Sequence, residues 1–507
     1  VGSGATGAID KLQQLIGVSL PPVTRQLLGD LLGNALGADK VSDFKKYLQE
    51  NQPVVFVGPY EHHSNEISWR ENLATVITVR LDPEGGIDLQ HLEELLQDPA
   101  YQGRKRIGSF SAASNVTGIK SPVHEIAALL HRYDALACFD YAASAPYVQI
   151  DMNPADGLYD GDASLDAVFI SPHKFLGGPG SSGVLVFNER IYRRDLPPTV
   201  SAGGTVDYVG TANQDFIHRI EEREKPGTPG VLQVLKAAMV FEVKESVTVA
   251  RIEQREHEIL EKVFSRWLAN PGIEILGNQD PARRVGIVSF NIKTSKTKAG
   301  TMQYLHPKFV TTLLNDLFGI QSRAGCSCAG PYGHRLLDID DETSEEYRAC
   351  VTGGFSGIKP GWCRVSMHYV MDDLEVYYLL DAVDFVARYG ALFLHLYEFN
   401  VYDGSWVSKK DPTNLQRFSL EAALDASVGA EPPMPLEERR QRYTKYLDEA
   451  LQLARQFEKR AMSADHVLEG KAGELQFFTL PECCMVTSND KALNGLAGKF
   501  KAIFSKA

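Results

Sequence analysis

Short apolar runs rich in β-branched residues alternate with amphipathic stretches over the first part of the chain. Six apolar runs predict buried strands, at residues 53–57, 76–79, 107–110, 135–139, 167–170 and 183–187. Helical patterns precede or separate them, at residues 9–16, 39–50, 88–96 and 122–133. Strands and helices that alternate at these lengths predict an α/β layer built on a mainly parallel sheet.

The pattern changes after residue 230. A long charged helical stretch at 231–267 predicts the connection to a second unit, which combines strands at 285–291 and 363–367 with helices at 306–318 and 372–389. Beyond about residue 391, the pattern predicts a hairpin at 397–407 and a charged amphipathic helix at 435–460. We therefore expect a large domain over 1–245, a smaller α+β domain over 246–390, and a mostly helical extension of unknown role over 391–507.

Composition excludes several classes of protein. The chain has 507 residues, 44% of them hydrophobic, and it contains no apolar run long enough to cross a bilayer. Its formal net charge of −13 disfavours a protein that binds nucleic acid through a cationic face. The odd number of cysteines, seven in a large chain, indicates a reducing compartment, so we expect a cytoplasmic or organellar protein with neither nucleic-acid nor membrane partners.

Lys174 is the residue that first suggests a chemical task. It follows the predicted strand 167–170 and precedes a glycine-rich turn, and a lysine placed at the end of a core strand is costly unless it has a partner or a function. Imine formation with a carbonyl cofactor such as pyridoxal phosphate is one such function, and a surface lysine at a strand end is the alternative. His62, Asn115 and Asp140 also follow predicted strands, and ligands collect beyond the carboxyl ends of parallel strands.

Five motifs occur in a fixed order along the chain. They are Glu-His-His-Ser-Asn at 61–65, Ser-Asn-Val-Thr-Gly at 114–118, Asp-Tyr-Ala-Ala at 140–143, Ser-Pro-His-Lys at 171–174 and Arg-Ala-Gly-Cys-Ser-Cys-Ala at 323–329. Together they resemble the class V aminotransferase superfamily of pyridoxal-phosphate enzymes, of fold type I, and most closely its cysteine desulfurase and selenocysteine lyase branch. The resemblance covers residues 2–389 and implies a seven-stranded type of mainly parallel sheet. The resemblance does not include the family's N-terminal segment, so we expect that this segment precedes Val1 and is missing from the sequence.

The resemblance implies a role for each motif residue at the cofactor. Lys174 would hold pyridoxal phosphate as an imine and shuttle protons at the substrate α-carbon, His62 would stack on the ring, and Asp140 would pair with the ring nitrogen. Asn115 would hydrogen-bond near the phenolic oxygen or the substrate carboxylate. The residues implied for the cofactor phosphate are Ala5, Thr6, Ser171, His173 and, from the partner subunit of a homodimer, Thr228.

The same resemblance implies a persulfide chemistry. Cys328 would attack the sulfur of bound cysteine, Arg364 would grip the substrate carboxylate, and alanine and an enzyme persulfide would form, with a sulfur-acceptor protein as a possible partner. Two other readings stay open. One is a class V aminotransferase or a C–S lyase that forms no persulfide, and the other is a catalytically inactive scaffold.

Each residue also has a structural reading. In these alternatives, His62 is a core histidine and Asp140 caps a helix. Ser171 and Thr6 are turn residues, and Arg364 is the partner in an ion pair. Cys326 and Cys328 are alternatively metal ligands or buried small hydrophobes, although no metal site is predicted.

Two features depart from the family pattern. Ala143 stands where relatives carry a glutamine, and the insertion at 331–361 is either a lid or a long surface loop.

Overall fold

The computed structural model describes residues 2–296, 302–410, 433–459 and 466–484. The α-helices are α1 Gly4–Leu15, α2 Pro22–Leu36, α3 Ala38–Asn51, α4 Ile67–Arg70, α5 Leu89–Gln97, α6 Val123–Arg132, α7 Ile220–Arg223, α8 Val231–Val247, α9 Val249–Trp267, α10 Pro307–Phe318, α11 Gly330–Leu336, α12 Asp341–Thr352, α13 Asp373–Phe393, α14 Leu436–Phe457 and α15 Lys471–Glu474. The strands are β1 Val54–Val57, β2 Thr75–Thr78, β3 Arg106–Ser111, β4 Ala135–Asp140, β5 Ala167–Ile170, β6 Val184–Phe187, β7 Val206–Val209, β8 Gln214–Phe216, β9 Ile273–Ile275, β10 Ile287–Lys296, β11 Met302–Tyr304, β12 Arg323–Gly325, β13 Trp362–Ser366, β14 Tyr397–Phe399 and β15 Trp406–Ser408.

The predicted α/β fold is confirmed by a large sheet whose strand order is β2-β1-β3-β4-β5-β6. The pairs among the first five strands are parallel, and β6 runs antiparallel to β5. Within the described residues this sheet has six strands, against the seven-stranded type implied by the resemblance. Since β1, β3, β4 and β5 run in one direction, the residues that follow them meet at a single edge of the sheet.

Helices cover both faces of this sheet, as the near-continuous apolar strands require. Ala8, Ile9 and Leu12 of α1 are fully buried in one apolar cluster with residues of β1, β4 and β5. Buried leucines and isoleucines of α5 and α6 belong to the cluster on the other face. Neither α2 nor α3, which lie between α1 and β1, contributes a buried residue.

A second sheet has the order β11-β10-β13-β12, with β9 also paired to β10. The helical stretch predicted at 231–267 is two helices, α8 and α9, separated at Thr248, whose φ is 71°. Helices α9, α10 and α13 bury apolar residues in one core beneath this sheet. The hairpin predicted at 397–407 is present as β14 and β15.

The C-terminal segment packs into the core of the second sheet. Ala454 of α14 and, further along the chain, Phe478 and Leu480 are fully buried in the same cluster as α9, α10 and α13. The rings of Tyr378 and Tyr443 stack, with centroids 3.9 Å apart, where α13 meets α14. The part of the predicted extension that the structure describes is therefore continuous with the core of residues 246–390.

The insertion at 331–361 is largely helical, so the expectation of a long surface loop is wrong. It contains most of α11, all of α12 and a short 3₁₀ helix at Ser356–Ile358. Tyr347 of α12 is buried and donates a hydrogen bond of 2.8 Å to the carbonyl of Leu475, which explains why this segment is ordered as helix against the C-terminal region. Among the described helices, none is long and apolar enough to span a membrane.

Candidate functional site

A cavity of about 250 Å³ opens at the carboxyl edge of the large sheet. Eight of the residues that the sequence analysis assigned to the cofactor line it: Ala5, Thr6, His62, Asn115, Asp140, Ser171, His173 and Lys174. Ser3, Ser64, Ser111, Ala113, Ala142 and Ala143 complete the lining. Four of the eight, His62, Asn115, Asp140 and Lys174, are the residues that the strand-end argument expected at this edge, and the other four were implied by the resemblance.

Lys174 and Asp140 place opposite charges in this cavity. Lys174 ends a 3₁₀ helix that follows β5, and its side chain is open to the cavity. Asp140 ends the neighbouring strand β4, is 4% exposed, and accepts a hydrogen bond of 2.8 Å from the backbone N–H of Ala142. Burial lowers the pKa of Lys174, and the charge of Asp140 opposes this shift. Burial also raises the pKa of Asp140. The structure describes every residue between β4 and β5 and places no helix there, so Asp140 is not a helix cap.

His62 faces the same cavity with a defined tautomer. His62 precedes the short 3₁₀ helix His63–Asn65 that follows β1, and its Nδ1 accepts a hydrogen bond of 3.1 Å from the backbone N–H of Ser64. Since Nδ1 is an acceptor, the neutral ring carries its proton on Nε2. Burial, followed by the charge of Lys174, lowers the pKa of His62 to about 4. The imidazole is therefore neutral at physiological pH.

The beginning of α1 packs tightly against the segment that carries Lys174. The backbone N–H of Ala5 donates a hydrogen bond of 2.9 Å to Ser171 Oγ, and the hydroxyls of Thr6 and Ser64 are 2.7 Å apart. Gly4 has a φ of 63°, and a Cβ added there would lie 2.4 Å from Cε1 of His173. The sequence analysis assigned no role to Gly4, although the three glycines among the first seven residues are a pattern typical of close backbone approach. The start of a 12-residue helix surrounded by hydroxyls and an imidazole is a suitable place for an anion.

Asn115 connects the cavity to the segment that carries Cys328. Its side-chain Nδ2 donates a hydrogen bond of 2.7 Å to the backbone carbonyl of Ser327, and its backbone carbonyl accepts one of 2.7 Å from Arg364 Nη1. Asn115 Oδ1 is buried and has no hydrogen-bond partner among the described residues. An unpartnered buried acceptor in a cavity lining indicates that a donor is to be supplied by a ligand.

Cys328 lies in a tight turn beside this cavity. The backbone N–H of Ala329 donates to the carbonyl of Cys326 at 3.1 Å, and the two residues between them, Ser327 and Cys328, have φ values of 52° and 58°. Positive φ at both central positions is the geometry of a type I′ turn, which glycine and asparagine normally occupy. The backbone N–H of His63 fixes the turn by donating to the carbonyl of Cys328 at 2.9 Å. Cys328 does not line the cavity itself, but Asn115, which does, donates a hydrogen bond to the carbonyl of the preceding residue, Ser327.

Arg323 is a functional candidate that the sequence analysis quoted within a motif but gave no role. Its Nη2 donates to Cys328 Sγ at 3.5 Å. Arg323 also lies directly opposite Arg364 in the antiparallel pair of β12 and β13. Burial and the neighbouring charge of Arg323 lower the pKa of Arg364 to about 10. Two like charges that face each other are unfavourable, so an anion between them would be stabilising.

Glu61 is a second residue whose role was missed. Its buried carboxyl accepts hydrogen bonds from the backbone N–H groups of Gly58 and Ser111, from the Ser111 hydroxyl, and from Asn65 Nδ2, at 2.7–3.1 Å. Burial raises the pKa of Glu61 to about 7, and these hydrogen bonds oppose the shift. The hydrogen bonds of Glu61 therefore link the segment after β1 to the end of β3 beside the cavity.

Thr228 is the one predicted cofactor residue that lies elsewhere in the chain's own structure. It is exposed on the segment before α8 and does not line the cavity. It borders a separate surface depression that also contacts Gly2 and Ser3. No group of three or more histidine, cysteine or acidic side chains in the described part of the chain is arranged to hold a metal ion.

The family model for aminotransferase class-V matches residues 41–379. The chain belongs to this family. The family that the motifs suggested is therefore confirmed over both sheets, although α1 and the C-terminal segment lie outside the matched range.

Similar curated proteins carry one description. The chain is 29% identical over 289 residues to a probable cysteine desulfurase of Halalkalibacterium halodurans, an alignment that covers 56% of the chain and 64% of that protein. It is 30% identical over 281 residues to a probable cysteine desulfurase of Chlamydia trachomatis, covering 55% of the chain and 63% of that protein. The chain spans less than two thirds of the length of these relatives.

Solved structures show the same fold. A cysteine desulfurase from Thermococcus onnurineus, in its apo form, superposes with a TM-score of 0.55 at 20% identity, covering 76% of the chain and 78% of that structure. The cysteine desulfurase CsdA from Escherichia coli gives a TM-score of 0.53 at 20% identity, with coverage of 76% and 77%. At this identity the likeness supports the fold-type prediction for the two sheets.

Proposed function

We propose that the protein is a pyridoxal-phosphate-dependent enzyme that removes sulfur, or selenium, from L-cysteine or a related amino acid. The observation that carries the proposal is that Lys174 and Asp140 line one cavity together with Asn115, and that Asn115 is hydrogen-bonded both to Arg364 and to the turn that carries Cys328. Its membership in the aminotransferase class-V family and the names of its relatives support the same chemistry.

The residues present fit the proposed cofactor. Lys174 is the amine that would hold it, and the buried carboxyl of Asp140 suits the ring nitrogen. The unpartnered Asn115 Oδ1 is available to a donor in the cavity, and the hydroxyls and N–H groups at the start of α1 suit a phosphate. Bound there, pyridoxal phosphate would withdraw electrons from the substrate α-carbon.

The protein's own groups would then divide the remaining work. Arg364 and Arg323 would bind the substrate carboxylate, because a bidentate guanidinium matches its geometry and an anion relieves their mutual repulsion. Lys174, with a lowered pKa, would move the proton at the α-carbon. Neutral His62 would cover the ring and contribute no competing charge.

Cys328 would take the sulfur. Its thiolate attacks the substrate sulfur, the carbon–sulfur bond breaks with its electron pair left on the carbon, and protonation gives alanine. Cysteine and one enzyme thiol are thus converted to alanine and one enzyme persulfide, with no external oxidant. The Arg323 guanidinium, 3.5 Å from Sγ, would stabilise the sulfur anion during this exchange.

The test has a spectroscopic and a chemical readout. Pyridoxal phosphate added to the full chain should give a visible absorption band, and borohydride should fix the cofactor on Lys174. With L-cysteine and a thiol reductant, the holoenzyme should release alanine and sulfide in equal amounts, and C328A should lose the sulfide while C350A, at a cysteine outside the cavity, keeps it. A protein that stays colourless would refute the cofactor, and a C328A variant that still releases sulfide would favour a lyase or aminotransferase in which this thiol has no role.

We further propose that the active form is a homodimer. Val231, Leu232, Leu235 and Met239 of α8 are 55–77% exposed, and they follow Thr228 directly in the chain. An exposed apolar patch of this kind marks an interaction surface, and pairing there would bring Thr228 towards a second subunit. Light scattering should give twice the chain mass, and L232E with M239E should give the monomer; a wild-type chain that is monomeric at micromolar concentration would contradict the proposal.

A further inference from the structure

A second cavity, of about 270 Å³, lies next to the Cys328 turn and takes no part in the chemistry described above. The insertion at 331–361 supplies most of its wall, through His334 and Leu337 near α11 and Tyr347, Arg348 and Val351 of α12. Lys359 of the insertion also lines it, and His63, Cys326 and Trp362 line it from outside the insertion. The insertion that the sequence analysis left unexplained therefore encloses a space beside the proposed active site.

The turn that carries both cysteines is connected to both cavities. Cys326 lines the second cavity, and Asn115, which lines the first, donates a hydrogen bond to the carbonyl of Ser327, between the two cysteines. The neighbouring histidines divide in the same way, since His62 lines the first cavity and His63 the second. His63 holds this wall in place, because its Nε2 accepts a hydrogen bond of 3.1 Å from the backbone N–H of Gly330.

The second cavity also has features that suit a ligand. Trp362 is fully buried and lines it, and its Nε1 has no hydrogen-bond partner within the described part of the chain. Arg348 and Lys359 place cationic side chains at its wall, and Arg348 is also paired with Glu345 at 2.8 Å. Cationic side chains beside a mostly apolar space suit a molecule that carries negative charge.

We propose that Cys326 is a second sulfur-carrying thiol, which takes the sulfur from Cys328 and presents it in the second cavity to an anionic thiol acceptor. This inference rests on the proposed function. In the transfer, the Cys326 thiolate attacks the outer sulfur of the Cys328 persulfide. A new sulfur–sulfur bond forms at Cys326, the bond to Cys328 Sγ breaks, and Cys328 leaves as a thiolate ready for the next substrate. One thiolate is exchanged for another, so no oxidant or reductant is consumed.

Reach supports the transfer. Residues two apart in sequence have Cα atoms at most about 7 Å apart, and the hydrogen-bonded turn shortens that distance. This is the range over which two cysteines are bridged through sulfur. Cys328 would deliver sulfur without leaving the neighbourhood of Lys174, and the acceptor would not need to enter the cofactor cavity.

The experiment locates the sulfur after one turnover. Holoenzyme receives one equivalent of L-cysteine without reductant, is quenched in acid, alkylated and digested with trypsin. Cleavage after Arg323 and Arg335 gives a peptide, 324–335, that contains both cysteines, and fragmentation at Ser327 separates them. We expect sulfur on Cys326 as well as Cys328 in the wild type, on Cys328 alone in C326S, and on neither in C328S.

A kinetic arm tests delivery. In C326S, alanine formed in the first turnover should be unchanged, while sulfur transfer to glutathione should slow by about tenfold, as for a barrier raised by roughly 1.4 kcal/mol. The matched variant C350S, at a free cysteine of α12 that does not line the cavity, should behave as wild type in both assays. Alanine formation with sulfur on Cys328 alone, or unchanged transfer in C326S, would overturn the relay and leave the proposed function intact. Absence of alanine from the wild type would overturn both.

Discussion

Substitution of Gly4 by alanine tests whether the packing of α1 against residues 171–174 creates the anion end of the cavity. At a φ of 63°, an L side chain costs roughly 1–2 kcal/mol. The added Cβ would also lie 2.4 Å from Cε1 of His173 and 2.8 Å from Ser171 Oγ, both shorter than real contacts allow. Overpacking of this kind costs about 1–3 kcal/mol. The combined penalty is thus roughly 2–5 kcal/mol.

This penalty falls on the proposed cofactor site, because relief requires α1 or the side chains of Ser171 and His173 to move. Movement of α1 or of Ser171 Oγ breaks the hydrogen bond from the Ala5 N–H, and movement of the His173 ring changes the lining of the cavity. We expect G4A to bind pyridoxal phosphate more weakly by at least about tenfold, at roughly 1.4 kcal/mol for each factor of ten. Absorption titration measures the affinity, and the melting temperature of the cofactor-free protein reports the strain.

The chain offers a matched control two residues away. A Cβ added at Gly2 would meet no atom within 4 Å, so G2A should match the wild type in both measurements. If G4A bound the cofactor with wild-type affinity and melted at the wild-type temperature, the close packing described here would be incorrect. Equal losses in G4A and G2A would indicate a general effect of flexibility at the start of the chain instead.

Three further predictions concern stability and charge. F478A should destabilise the protein by about 3–5 kcal/mol in chemical denaturation, because Phe478 is fully buried in the core of the second sheet. V467A, at a residue that is 65% exposed, should leave the stability nearly unchanged. Equal effects of the two substitutions would contradict the packing of the C-terminal segment. Burial raises the pKa of Glu256 from 4.5 to about 8, so the folded state holds a proton that the unfolded state releases. As the pH rises from about 4.5 to 8, the free energy of unfolding should therefore fall by up to roughly 1.4 kcal/mol per pH unit. E256Q should remove this contribution to the pH dependence of the free energy of unfolding. An unchanged pH dependence in E256Q would refute the assignment. R323L should leave the cofactor-free protein as stable or more stable, since it ends the repulsion with Arg364, while raising the KM for cysteine; an unaltered KM would exclude Arg323 from substrate binding.

Local patterns predicted strands β1 to β5, which position much of the site, but they placed the start of the first helix at residue 9, whereas α1 begins at Gly4. The apolar runs that end before Asp140 and Lys174 are strands β4 and β5, and parallel strands necessarily bring their carboxyl ends to one edge. That single rule places Asp140 and Lys174 at the same cavity. The motif order then indicated the family, which no individual residue could do.

The relations that escaped prediction are all non-local. Arg323 faces Arg364 only because β12 and β13 pair in a particular register, and no periodicity within either strand encodes that register. The burial of Phe478 depends on a core built mainly by residues 80 or more positions earlier in the chain. Glu61 bonds locally to Gly58 and Asn65, but its role in the site depends on β3, which brings the backbone N–H and the hydroxyl of Ser111 to its carboxyl. Sequence patterns predict elements, whereas these roles arise from how the elements meet.

The Cys328 turn shows how such a meeting supports chemistry. Ser327 and Cys328 occupy positive φ without being glycine, at a cost of order 1–3 kcal/mol each. The bonds from His63 to Cys328 and from Asn115 to Ser327, each worth about 1 kcal/mol, offset part of that cost, and both come from residues beyond the ends of large-sheet strands. The same large-sheet edge that positions Lys174 therefore also fixes the thiol. If the proposed function is correct, the hydrogen bonds from His63 and Asn115 hold the backbone of the Cys328 turn in this conformation before substrate arrives.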